Sequence, residues 1–175
     1  MSIGEIHTFT NYFTVALVML GIIFELIGRR NKNESAISYG WSCLRLGLIF
    51  ALISLFTGFA AEKADATPSE AAIAAMFHKT ISIVFTVFLV VLVAFRMLFN
   101  KKISSTEDGA FVRGIYMTLQ VASLLLILVT LFLGVRMVRT YGVGVAPVQK
   151  LNQLPPTPPP PPASGIKVDT TQYLQ

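Results

Sequence analysis

Four long apolar blocks, near Thr8–Gly28, Trp41–Ala61, His78–Phe99 and Ile115–Val138, constrain this chain more than any other feature it has. Crossing a hydrocarbon layer of roughly 30 Å as a helix takes about 20 residues, and each block reaches that length. The expected fold is therefore an all-α, integral membrane, antiparallel four-helix bundle spanning residues 1–145. A proline-rich extramembrane C-terminal tail, residues 146–175, follows it.

The formal net charge is +5, which in a soluble domain points to nucleic acid. Here the basic residues cluster at the ends of the apolar blocks, so they read as membrane anchors and nucleic acid is not an expected partner. Cys43 is the single cysteine, which excludes a disulfide framework, a Cys-rich metal site and the Cys-x-x-Cys-His attachment of c-type haem. Any haem must be held without a covalent link. No basic residue precedes the first block and no small-residue cleavage site follows it, so the first helix is expected to remain in the protein.

Arg29, Arg30 and Lys32 follow the first helix, and Lys101, Lys102 and Arg113 line the link between the third and fourth. By the positive-inside rule both links are cytoplasmic, which puts both termini in the periplasm of a bacterial inner membrane protein. Arg136, Arg139 and Lys150 then fall on the non-cytoplasmic side and call for anionic partners. Links of about 12 to 16 residues between the blocks favour an up-down-up-down order. The proline run from Pro155 to Pro162, broken only by Thr157, predicts a stiff polyproline II spacer. Beyond it the last ten residues read either as a docking strand or as a disordered tail.

Small residues mark helix contacts in lipid, because lipid tails are as apolar as leucine and close backbone approach carries the association. Gly47, Ala51, Ser54, Gly58 and Ala61 form such a stripe on the second helix, and Gln120, Ser123, Thr130 and Gly134 share a face of the fourth. Glu25 and Arg45 lie at matching depth, and an ion pair between them is the economical expectation.

His7 and His78 are the two histidines of the chain. His7 lies 22 residues before Arg29 and His78 lies 23 before Lys101, which sets both at one depth, roughly 33 to 35 Å from the basic boundary. Each opens a polar stripe, Asn11 and Thr14 after His7 and Ser82 after His78, and intramembrane polar groups turn inward. Two inward imidazoles at one depth suit bis-His ligation of haem b. They equally suit a hydrogen-bonded structural pair, since interfacial histidines are common at helix starts. On the haem reading Arg136 and Arg139 are candidate partners for the propionates. Pairing with Glu62, lipid phosphates or a partner subunit accounts for them as well.

These residues resemble a bacterial family of predicted four-helix membrane proteins classed as a domain of unknown function. That family opens helix one with His-Pro-x-x-x-His-Phe-Pro, ends helix two in Thr-Gly, starts helix three with His, and closes helix four with Gly-Gly-x-Leu-Val-Tyr-x-His-Gly-Val-Gly-Val. The matching stretches here are HTFTNYFT from His7, Thr57 and Gly58, HKT from His78, and GVRMVRTYGVGV from Gly134, covering about residues 7–145. The second opening histidine is Tyr12, both prolines are threonine (Thr8 and Thr14), and the closing histidine is Tyr141. If the family uses four histidines for two cofactors, this chain keeps ligands for at most one bis-His haem. Similar proteins occur beside or fused to cytochrome c modules, so the resemblance implies an electron-transfer setting.

The leading expectation is a small membrane subunit of a bacterial respiratory or photosynthetic electron-transfer complex, with His7 and His78 as axial ligands of one haem near the periplasmic face. Its partners would be the lipid bilayer, other membrane subunits and a cytochrome c. The competing expectation is a cofactor-free scaffold subunit. A transporter is weaker, because broken helices and inverted repeats are not evident. No enzyme motif is present.

Overall fold

The computed structural model describes residues 3–64, 71–104 and 109–143. Four helices follow one another: α1 Ile3–Arg30, α2 Glu34–Ala64, α3 Ala72–Ser104 and α4 Ala110–Tyr141. All four are long and apolar enough to cross a membrane. A chain in lipid must satisfy its backbone hydrogen bonds internally, and these helices do so within each segment. Large side chains such as Phe56, Leu98 and Phe111 stand 70 to 79% exposed, which suits a protein whose outer surface meets acyl chains rather than water.

Each helix outruns the apolar block that announced it. The α1–α2 link is therefore residues 31–33 rather than the dozen expected. Lys32 takes a left-handed conformation (φ 53°), the Asn33 N–H returns to the Gly28 carbonyl at 2.8 Å, and the Asn33 side chain accepts from the Ala36 N–H at 3.0 Å. That asparagine caps the new helix and closes a tight hairpin. At the other end α4 stops at Gly142, whose left-handed φ of 63° turns the chain so that the Val143 N–H reaches back to the Met137 carbonyl at 3.3 Å. α3 bends at Phe99 (φ −109°, ψ 17°), the residue where its apolar block ends.

Glycines set the intimate contact between α1 and α2. A Cβ on Gly40 would lie 2.7 Å from the Gly21 carbonyl oxygen, and one on Gly21 would meet Leu44 at 2.8 Å. Gly28 faces Ile37, and Gly47 faces Val18. Backbones this close gain the dispersion contacts on which helix association in lipid depends. α3 packs on α4 as a second hairpin, and the two hairpins meet along thinner α2–α3 and α1–α4 seams. Val18, Ile22, Leu44, Leu89, Leu92 and Ile127, all at most 1% exposed, fill the middle of the bundle.

The expected Glu25–Arg45 ion pair does not form. Glu25 points into the bundle, while Arg45 is exposed and lies against the Trp41 ring, Cζ 5.3 Å from its centroid. The reason is helical phase: Leu44 faces Gly21, and one residue further the chain has turned about 100° away. The proline run, the rest of the tail and residues 65–70 lie outside the described residues.

Candidate functional site

A cavity of about 170 Å³ lies at the end of the bundle that carries the two histidines, and all four helices contribute to its wall. His7 and His78 face each other across it, with ring centroids 6.3 Å apart and ring planes at 80°. The His7 ring is held by the backbone of a neighbouring helix. His7 Nδ1 lies 2.8 Å from the Ser54 carbonyl oxygen. A carbonyl only accepts, so Nδ1 carries the proton and Nε2 keeps its lone pair. Ser54 Oγ, at 3.3 Å, lies on the same nitrogen. His78 Nδ1 is buried without a hydrogen-bond partner among the described residues.

Two glycines make room for the rings. A Cβ on Gly58 would lie 2.9 Å from His7 Cε1, and a Cβ on Gly134 would lie 3.3 Å from His78 Cε1. The small-residue stripe of α2 therefore has two halves. Gly47 packs against α1, whereas Ala51, Ser54, Gly58 and Ala61 line the cavity. On α4, Gln120, Ser123 and Thr130 are buried as the shared face predicts. The hydroxyls around the cavity bond their own helices: Thr14 to the Thr10 carbonyl, Ser82 to His78, Thr86 to Ser82 and Thr130 to Leu126, at 2.7 to 3.0 Å. They leave the imidazole lone pairs uncontested.

Arg136 and Arg139 are exposed and do not line the cavity. Gly134 points inward, and Arg136, two residues on, is turned about 200° from it. The cation at the cavity wall is instead Lys79, bonded to Glu62 at 2.7 Å with its ammonium 5.2 Å from the Phe59 ring centroid.

A second polar centre lies toward the opposite end, separated from the histidines by the apolar middle. Glu25, with no exposed surface, accepts from Tyr116 Oη at 2.7 Å and Gln120 Nε2 at 3.0 Å, and pairs with Arg29 at 3.5 Å and Arg96 at 3.4 Å. Arg96 was not singled out by the sequence reading. Its signal was available: apart from Lys79 at the very start, it is the one cation inside the third apolar block, and such residues face inward and pair.

Residues 5–147 match the model of the DUF2231 family, described as predicted membrane proteins. The chain belongs to this family. No curated protein and no solved structure matches it. Gly58 of this DUF2231 protein is the seat of the His7 ring.

Proposed function

We propose that this protein is a small membrane-embedded redox subunit in which His7 and His78 take opposite faces of one b-type haem. The observation that carries the reading is the placement of the two rings. Imidazoles bound on opposite sides of one metal at about 2 Å put their centroids roughly 6 Å apart, and the pair stands at 6.3 Å. The Ser54 carbonyl supplies the outer hydrogen bond that fixes a ligating imidazole and raises its basicity. Among the described residues no group of three or more His, Cys, Asp or Glu side chains could hold a metal ion, so on this reading the remaining coordination positions would have to come from the macrocycle itself.

The donor set fits haem better than the present volume does. A cavity near 150 Å³ holds a benzene-sized guest, and a macrocycle requires the hairpins to part along their thinner seams. Phe59, Phe85 and Leu131 would meet its apolar faces. Haem would supply a one-electron centre. The chain's own part is to orient the two rings and to exclude water from the other side with its apolar middle. The basic residues at the links favour a periplasmic histidine end by the positive-inside rule, which would bring it within reach of a soluble electron carrier.

The test is a reduced-minus-oxidised absorption spectrum of the detergent-purified full-length protein, produced with haem precursor supplied. A b-type α band in the wild type, lost in His7→Ala and in His78→Ala, supports the reading. A colourless protein that still copurifies with a larger complex leaves the scaffold reading in its place.

A further inference from the structure

Among the described residues, the polar cluster at the end of the bundle away from the histidines carries an excess positive charge. Among the described residues Glu25 is the one carboxylate paired with Arg29 and with Arg96, so two guanidiniums face a single negative charge. The cluster carries +1 where the Arg96 and Arg29 side chains keep only 7% and 10% of their exposure. A lone charge away from water is far costlier than a neutral pair. The hydrogen bonding around that charge is incomplete on both sides. Glu25 Oε2 is taken by Tyr116 and Gln120, while Glu25 Oε1 and Gln120 Oε1 make no hydrogen bond and neither do Nε of Arg29 and Nη1 of Arg96, so the positive excess is what calls for an anion. Both guanidiniums lie against the same Tyr116 ring, Cζ 5.4 and 5.7 Å from its centroid. Arg96 also contacts Trp41, at 5.8 Å.

Depth identifies the source of the acceptor. The 28 residues of α1 rise about 42 Å, close to the roughly 40 to 45 Å of a bilayer with its headgroups. Arg29, in the last turn, therefore lies at headgroup level, with exposed Arg30 beside it. We propose that Arg29 and Arg96 bind a phosphate oxyanion at this end, supplied by the phosphodiester of an anionic phospholipid. Guanidinium N–H groups match phosphate oxygens in pairs while the flat face of the cation stays on an aromatic ring. Basic sites between transmembrane helices bind anionic headgroups by this chemistry. The site is independent of the histidine pair.

Full-length protein in detergent, stripped of lipid, is titrated in native mass spectrometry with phosphatidylglycerol, with phosphatidylcholine of the same acyl chains, and with inorganic phosphate. One phosphatidylglycerol per chain is expected, retained at least about tenfold more tightly than phosphatidylcholine. Arg29→Gln and Arg96→Gln each erase that preference, and Arg96→Lys weakens it. Either glutamine variant leaves Glu25 with one guanidinium, a neutral pair, so lipid loss is separable from unfolding read by helical circular dichroism. Equal retention of the two lipids, or an unchanged preference in both glutamine variants, overturns the proposal. Inorganic phosphate binding alone with the same arginine dependence overturns the lipid source and keeps the oxyanion site. The haem spectrum is unaffected by either variant, which separates this site from the histidine reading.

Discussion

Gly58 stands against the ring of His7 so closely that a Cβ in its place would lie 2.9 Å from Cε1 and 3.1 Å from Nδ1. Gly58→Ala must therefore push the ring off the Ser54 carbonyl or spread α1 from α2. Overpacking of this kind costs about 1–3 kcal/mol. Thermal unfolding in detergent should show that loss, together with a weakened haem spectrum. Gly114→Ala is the control: nothing lies within 4 Å of its Cβ position, and replacing a helix-interior glycine is worth roughly 0.5–1 kcal/mol in the stabilising direction.

Glu25→Gln is expected to be the most damaging polar substitution in the protein. It strands two buried guanidiniums without a counter-charge, and breaking a buried pair from one side costs about 3–5 kcal/mol. Arg45→Gln, at an exposed position outside that network, should stay within about 0.5 kcal/mol. Chemical unfolding of both variants under one detergent condition checks the contrast.

Tyr116→Phe keeps the ring on which both guanidiniums lie and removes only the 2.7 Å hydrogen bond to Glu25. Hydrogen bonds to a charged acceptor are worth about 1.5–3 kcal/mol. The variant should fall between the wild type and Glu25→Gln in the same unfolding series, with an unchanged haem spectrum.

Lys79 and Glu62 bridge α3 and α2 at the cavity wall, but their side chains are 41 and 51% exposed. An exposed pair contributes about 0–1 kcal/mol, and about 1 M salt screens most of that. Lys79→Gln should change stability little at low salt and not at all at high salt. A large, salt-independent loss would show that the pair closes the cavity rather than decorating its rim.

What was legible in the sequence follows from what counting along a helix reveals. Depth can be counted, and the common level of His7 and His78 emerged from their distances to the basic boundary. Azimuth is harder. Arg45 shares the depth of Glu25 but sits one residue beyond Leu44, on the wrong face of α2, while Arg96 reaches Glu25 from a helix not adjacent in sequence. Arg136 and Arg139 lie toward the histidine end of α4, yet Gly134 fixes the phase of that helix and turns both outward. The α2 stripe read as one packing seam because small residues look alike. Only the three-dimensional arrangement distinguishes Gly47, which admits a neighbouring helix, from Gly58, which admits an imidazole.

The most direct test of a shared His7–His78 centre is the spin state of the ferric protein, read by electron paramagnetic resonance. With crossed ring planes at 80°, two imidazoles on one iron predict a strongly anisotropic low-spin signal in the wild type. That signal should give way to a high-spin one when either histidine alone becomes alanine. A high-spin wild type, or a low-spin signal that survives both single substitutions, would contradict the account.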